Sequence, residues 1–185
     1  MFEQVLESIA QGLERLGIPY MVIGGQAVLL YGEPRLTRDI DVTVGVGPER
    51  LSEILEWVTG NGWQVLVEAP VEFVAKTMVL PCLDPASGIR MNLIFSFSAY
   101  EQQALKRARR VPLGGAQVCF ASLEDLIVHK VLAGRPRDLE DVRSMLLKNR
   151  TFDLEYVTRW LREFDRSLGE KSLERFEELR QKSHS

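Results

Sequence analysis

The sequence has little of what marks secreted, metal-clustered or membrane-spanning proteins. No apolar run approaches the roughly 20 residues that a helix needs to cross a bilayer, so we expect no membrane partner. The N-terminus lacks a basic region followed by an apolar segment, which indicates no signal peptide and predicts a cytoplasmic location. Cys82 and Cys119 have no metal-ligand spacing and neither lies near a histidine. We therefore interpret both as packed side chains rather than as parts of a zinc or disulfide framework.

What is present is the composition of an ordinary globular protein. The 185 residues are 45% hydrophobic and 26% charged, which is enough for one domain with a core, or a core plus a helical appendage. The net charge of −3 is uneven, because residues 101–150 carry ten Lys or Arg against six Asp or Glu. Within that block, residues 106–110 carry four cations, which could bind nucleic acid or phosphate, or could be a solvated helix end.

Hydrophobic periodicity predicts strands and helices in alternation, followed by helices alone. Helical spacing from Phe2 to Leu16 predicts a first helix that Gly17 ends. Predicted strands are 20–23, 40–44, 63–67, 73–80 and 89–95, and 111–118 resembles a hairpin with a turn at residues 114–115. Predicted helices are 25–31, a segment after Pro48, 100–107, 122–132, 137–148, 153–167 and 171–181.

This order predicts an α/β (α+β) fold, with a mixed sheet, flanking helices and a C-terminal helical subdomain. We expect residues 1–120 to form the core and residues 121–185 to form a helical region packed on it.

A glycine pair and two aspartates form the most informative pattern. Gly24-Gly25 ends an apolar run and opens a helical stretch, and Asp39 and Asp41 follow inside a second apolar run. Side chains at i and i+2 of a strand lie on one face, so the two carboxylates are expected side by side. Glycines at a helix start let a phosphate approach the backbone amides closely. The combination predicts a phosphate and Mg²⁺ site, although each half alone could be a polar strand end or a tight turn.

The same region resembles a known enzyme superfamily. Gly24-Gly25, followed by the run from Arg35 through Thr37 and Asp39 to Asp41, is similar to the signature of DNA polymerase beta-like nucleotidyltransferases. The closer resemblance is to the small bacterial and archaeal members, which include the AbiEii-type toxins. A second block, residues 122–142, carries a similar lysine and a following Arg-Asp-x-x-Asp run. The resemblance covers roughly residues 1–150.

The resemblance implies a role for each matching residue. Asp39 and Asp41 would be catalytic and would hold Mg²⁺ or Mn²⁺. The remaining matches would bind the nucleotide, and these are Gly24, Gly25, Arg35, Thr37, Lys130 and Asp138. From the residues alone, Lys130 could equally be a surface lysine, and Asp138 and Asp141 could pair with Arg135 and Arg137 in a structural role.

The third position of the superfamily signature departs from the pattern. Asn92, in the predicted strand 89–95, stands where a third catalytic carboxylate is expected. An amide oxygen can coordinate a metal ion, but it brings no charge and is a poor proton acceptor.

Two functions follow from these motifs. The first is a Mg²⁺-dependent nucleotidyltransferase that moves a nucleoside monophosphate from a nucleoside triphosphate to an unidentified acceptor, which could be RNA, a protein or a small molecule. The second is a catalytically impaired nucleotide- or partner-binding module of the same fold. In that case the chain could belong to a toxin–antitoxin-like system with a cognate antitoxin as partner.

Overall fold

The computed structural model describes residues 1–96 and 98–184 of the chain. The chain forms two compact units. The first unit comprises Met1–Gln26 and Leu36–Ala121, and the second comprises Ala27–Arg35 together with the chain from Ser122 onward. The predicted core of residues 1–120 includes Ala27–Arg35, whereas these residues group with the second unit.

Seven strands of the described residues lie in the first unit and form one sheet. They are β1 (Tyr20–Ile23), β2 (Asp39–Val44), β3 (Gln64–Val65), β4 (Val79–Asp84), β5 (Ile89–Phe95), β6 (Arg109–Leu113) and β7 (Ala116–Phe120). Their order across the sheet is β3-β4-β5-β2-β1-β7-β6. The pairs β2–β5 and β1–β7 are parallel and the other neighbours are antiparallel, so the predicted mixed sheet is confirmed.

Helices of the first unit are α1 (Phe2–Arg15), α3 (Leu51–Gly60), α4 (Pro70–Thr77) and α5 (Ala99–Arg107), and α2 (Gly24–Tyr31) begins in it. Helix α1 follows the predicted pattern, since it buries Val5, Leu6, Ile9 and Leu13 and is followed by Gly17 at a φ of 63°. Pro48–Arg50 forms a 3-10 turn before α3.

The two central strands bury one face and leave the other partly open. On β2, Ile40 and Val42 are fully buried, and on β5, Met91 and Leu93 are 1% exposed. At the alternate positions, Asp39 and Arg90 are exposed and Asp41 and Asn92 are half-buried, whereas Thr43 is buried and Ile94 is apolar. Since successive side chains of a strand point to opposite faces, the polar residues share the open face.

The predicted strand over residues 73–80 is wrong in its first half. Residues Pro70–Thr77 form helix α4, and only Val79–Asp84 is extended. Proline at the first helical position favours a helix start, and Met78 ends the helix in the left-handed region at a φ of 58°. The apolar run was ambiguous because only Val74 of the helix is buried, while Val71 and Phe73 are exposed. The strand predicted for residues 63–67 is also shorter, since β3 spans Gln64–Val65.

The second unit is helical. Besides the end of α2, it contains α6 (Leu123–Ala133), α7 (Pro136–Lys148), α8 (Leu154–Leu168) and α9 (Ser172–His184), as the sequence pattern predicted. Ser122 caps α6 by accepting a hydrogen bond from the Asp125 amide, and Gly134 ends it at a φ of 63°. Helix α6 packs against α7 and α8, and α9 packs against α7 and α8. Across the described residues, none of the helices has the length and apolar character needed to span a bilayer.

Candidate nucleotide and metal site

The glycine pair forms the junction between β1 and α2. Helix α2 starts at Gly24, whose φ of 65° lies in the left-handed region that favours glycine. A Cβ at Gly24 would lie 3.2 Å from Cγ and 3.3 Å from Cβ of Asp41, and closer still to Oδ2. The Asp41 carboxylate therefore packs directly against the glycine backbone at the start of the helix, where unpaired amides favour an anion.

Strand register brings the predicted catalytic positions onto one face. Asp41 is opposite Ile23 of β1 and opposite Asn92 of β5. The amide nitrogen of Asn92 donates a 2.8 Å hydrogen bond to Oδ1 of Asp41. Asp39 lies two residues before Asp41 and is exposed on the same strand face. The structure thus places Asp41 against Gly24 and Asn92, with Asp39 on the same strand face, and the shared face of the two aspartates is the one that their spacing predicts. The position of Asn92 was expected from the superfamily resemblance, and the catalytic role of these residues stays a prediction.

Two further residues near this site were not identified from the sequence, namely Arg90 on the open face of the sheet and Gln26 on helix α2. Arg90 is opposite Asp39 in the parallel pair of β2 and β5 and is exposed. Its position two residues before Asn92 in a strand was the available signal. Gln26, which is 6% exposed, donates a 2.6 Å hydrogen bond from Nε2 to Oγ1 of Thr37. No spacing rule links Gln26 to Thr37, because the contact depends on the path of the intervening chain.

The second unit contains a separate cluster of buried charges. Arg35 donates from Nε and one terminal nitrogen to the two oxygens of Asp141, at 2.7 and 2.8 Å. The Lys130 ammonium lies 2.7 Å from Asp138 and 2.9 Å from Asp141, and its side chain is only 7% exposed. Arg135 forms a 2.5 Å ion pair with Asp138. Three predicted nucleotide-binding residues, Arg35, Lys130 and Asp138, are thus part of one ion-pair network.

This network explains the ionisation of Asp138. Burial disfavours the charged carboxylate, but hydrogen bonds from Arg135 and Lys130 outweigh burial and hold the pKa of Asp138 below its ordinary value. Lys130 is a buried, paired lysine, which excludes the alternative of a surface lysine. The structural pairing anticipated for Asp138 is present through Arg135. A nucleotide contact by Lys130 or Asp138 stays a prediction.

The polar face of the sheet fits one Mg²⁺ ion bound together with phosphate. No group of three or more His, Cys, Asp or Glu among residues 1–96 and 98–184 could hold a metal ion. Asp39 and Asp41 supply two carboxylates, and Mg²⁺ is typically bound by one or two carboxylates with substrate phosphates and water completing its shell. With the amide oxygen of Asn92 as a neutral donor, the available donors are all oxygens, which suits a hard cation rather than a soft metal.

Comparison with solved structures identifies the class of fold. ANT(2″)-Ia in complex with adenylyl-2″-tobramycin superposes with a TM-score of 0.61 at 18% identity, over 91% of this chain and 98% of that one. An antigenic nucleotidyltransferase-like protein from Paracoccidioides brasiliensis superposes with a TM-score of 0.56 at 19% identity, over 89% of this chain and 87% of that one. A putative nucleotidyltransferase from Thermotoga maritima superposes with a TM-score of 0.51 at 18% identity, over 80% of this chain and 94% of that one. At such identities the likeness establishes a nucleotidyltransferase-like fold.

A sequence family gives the narrower assignment. Residues 1–183 match the model of the family described as "nucleotidyltransferase of unknown function (DUF6036)", and the chain belongs to this family. Comparison with curated protein sequences gave no significant match. The family and the fold support the nucleotidyltransferase superfamily expected from the motifs, whereas the AbiEii-type subgroup stays a prediction.

Proposed function

We propose that the protein is a Mg²⁺-dependent nucleotidyltransferase that transfers a nucleoside monophosphate from a nucleoside triphosphate to a hydroxyl group of an acceptor. The observation that carries this proposal is the contact between the Asp41 carboxylate and Gly24 at the start of α2, with Asp39 on the same strand face. A metal ligand and a phosphate-binding helix start are then neighbours within one unit. Membership in a nucleotidyltransferase family supports the same reaction class.

Each residue of the face has a role in this proposal. The backbone amides that follow Gly24 and Gly25 bind phosphate oxygens. Asp39 and Asp41 hold Mg²⁺, which when bound would neutralise phosphate charge during transfer. The acceptor hydroxyl forms a bond to the α-phosphorus, the bond from that phosphorus to the bridging oxygen breaks, pyrophosphate leaves and the hydroxyl proton passes to solvent or a base. Thr37, Arg35, Lys130 and Asp138 stay proposed nucleotide-binding residues on the strength of the motif resemblance alone.

The acceptor is the least defined part of the proposal. RNA, a protein side chain and a small molecule each offer a hydroxyl, and a cognate antitoxin stays a predicted partner. Two fold neighbours were solved with small molecules, namely ANT(2″)-Ia with adenylyl-2″-tobramycin and the lincosamide antibiotic adenylyltransferase LnuA with lincomycin. Among the three classes of acceptor, these neighbours support a small molecule.

Calorimetric titration of each nucleoside triphosphate with Mg²⁺ tests the site directly. The wild type is expected to bind at least one of them, and Asp41→Asn should weaken binding at least tenfold because a charged ligand is lost. Glu72→Gln is a matched control, since it removes an equally negative but exposed carboxylate on α4. Absence of binding to the wild type would refute the proposal. Transfer is then measured by following α-³²P-labelled nucleotide onto RNA, protein and small-molecule fractions.

A second candidate function is a nucleotide-binding module with impaired catalysis. The hydrogen bond from Asn92 to Asp41 favours it, because the third carboxylate of the superfamily signature is replaced by a neutral amide that already contacts the second. The Asn92→Asp variant separates the two functions. A gain of transfer activity over an inactive wild type would support the impaired module, whereas activity in the wild type would support the enzyme.

A further inference from the structure

Arg90 combines three properties that distinguish it on the open face of the sheet. It is opposite Asp39 in the β2–β5 register, so both side chains leave the same face. It is exposed although β5 is an interior strand of the sheet, flanked by β2 and β4. Within the described part of the chain, Arg90 forms no ion pair, unlike Arg35 and Arg50.

The net charge of this face indicates what Arg90 could contribute to ligand binding. Asp39 and Asp41 bring two negative charges, Asn92 brings none and Arg90 brings one positive charge. A site with three carboxylates would attract cations strongly enough for two metal ions, whereas this face carries a net charge of only −1. One Mg²⁺ ion with the two carboxylates leaves a triphosphate, with about four negative charges, short of positive partners.

We propose that Arg90 is a phosphate-binding residue of the nucleotide site. Its guanidinium supplies the positive charge that a second metal ion would bring in a site with three carboxylates, and it contacts the triphosphate beside the ion held by Asp39 and Asp41. A planar guanidinium suits this role, because it can donate two parallel hydrogen bonds to phosphate oxygens and keeps its charge at any physiological pH. This inference rests on the proposed nucleotide binding.

A different role is available for the same arginine. Arg90 could serve only to offset the charge of Asp39 in a face that binds no phosphate. Both roles predict that removal of the arginine strengthens the binding of Mg²⁺ alone, because a repelling charge beside Asp39 is lost. Only the phosphate-binding role predicts that the same change weakens the binding of a triphosphate. The two affinities therefore change in opposite directions if the proposal is correct.

The experiment compares three variants with the wild type by calorimetry. The probes are Mg²⁺ alone, ATP with saturating Mg²⁺, and inorganic triphosphate with saturating Mg²⁺, which reports phosphate contacts without a base. Arg90→Gln should lower the affinity for ATP and for inorganic triphosphate about tenfold or more. The same variant should raise the affinity for Mg²⁺ alone. Arg90→Lys should retain part of the affinity, because it keeps the charge but not the planar fork. Arg15→Gln, which removes an exposed arginine in the last turn of helix α1, is the matched control.

The outcomes separate this inference from the proposed function. Tighter Mg²⁺ binding with unchanged triphosphate affinity in Arg90→Gln would overturn the role of Arg90 and leave the nucleotide site standing. Equal weakening by Arg15→Gln would also overturn it, because the effect would then be one of overall charge. If the wild type binds neither ATP nor inorganic triphosphate, both the nucleotide site and the role of Arg90 are refuted.

Discussion

The side-chain amide of Asn92 donates a 2.8 Å hydrogen bond to Oδ1 of Asp41, across the parallel pair of β2 and β5. The two residues are register partners, so the contact is built into the sheet rather than into a mobile loop. An acid at position 92 would face Asp41 at the same short range, and two carboxylates there would repel unless a cation lay between them. The amide avoids that repulsion, and it brings no charge that could attract a cation.

Replacement of Asn92 by aspartate should therefore lower the stability of the metal-free protein and raise its affinity for Mg²⁺. Without Mg²⁺ we expect a lower melting temperature than that of the wild type, because a hydrogen bond is replaced by repulsion. With Mg²⁺ we expect the melting temperature to recover, and calorimetry should show Mg²⁺ binding on the order of tenfold tighter. The Asn92→Ala variant, which loses the hydrogen bond without adding charge, is the control. Unchanged Mg²⁺ affinity in Asn92→Asp would show that position 92 is not part of the metal site.

Alanine at Gly24 should damage the site as well as the backbone. Its φ of 65° costs an L-residue about 1–2 kcal/mol, and the added Cβ would displace the Asp41 carboxylate. Gly62 is the matched control, since its φ of 75° carries the same strain but a Cβ there would meet nothing within 4 Å. We expect similar losses of backbone stability in both variants, measured by chemical denaturation. Only Gly24→Ala should lose Mg²⁺-ATP affinity, and an equal loss in Gly62→Ala would contradict the proposed contact.

The hydroxyl of Thr37 should contribute to Mg²⁺-ATP affinity by helping to position Asp39. The pairing of β1 with β2 ends at Asp41, so Asp39 has no partner on β1. The hydrogen bond from Gln26 to Thr37 holds the chain just before Asp39. Thr37→Val keeps the shape but removes the acceptor, and we expect Mg²⁺-ATP affinity to fall about fivefold. Thr37→Ser keeps the hydroxyl and should remain near the wild-type affinity. If the two variants bind alike, the hydrogen bond does not position Asp39.

Lys130 should contribute mainly to stability. Its ammonium contacts Asp138 and Asp141 and is almost fully buried, so Lys130→Met leaves two carboxylates with fewer partners. We expect a loss of about 3 kcal/mol in the free energy of unfolding, measured with denaturant. Lys148→Met, which breaks the exposed pair with Glu33, should cost about 1 kcal/mol or less. Nucleotide titration of folded Lys130→Met then tests the binding role that the motif implies for this lysine.

Asp138 should make the stability of the protein depend on pH in the acid range. Its pKa in the folded state lies below the ordinary value, which is about 3.9 in an unfolded chain. A lowered folded pKa means that its stabilising contribution is complete above the unfolded value and is lost as the pH falls through the folded one. The stability difference between wild type and Asp138→Asn should thus be constant above about pH 5 and shrink below about pH 4. A difference that is independent of pH down to pH 2 would contradict this role.

Local patterns accounted for much of the architecture. The two glycines, the aspartate pair and the strand around Asn92 were placed correctly because turns and strand periodicity depend on neighbouring residues. Helix α4 was not predicted because its apolar residues form a run that is also typical of a strand. No local rule shows that this helix forms with only Val74 buried. The ion pair between Arg35 and Asp141 joins residues 106 apart in sequence, so no spacing rule could reveal it.

The sequence by itself determined that Asp39 and Asp41 share a strand face and that a glycine pair opens the helix after β1. Only the tertiary structure decided what these residues meet. Strand order places Asn92 beside Asp41 and Arg90 beside Asp39, and the turn after β1 brings Gly24 against the Asp41 carboxylate. The reason is physical, because periodicity is a property of a few consecutive residues, whereas register between distant strands is set by the packing of the whole sheet.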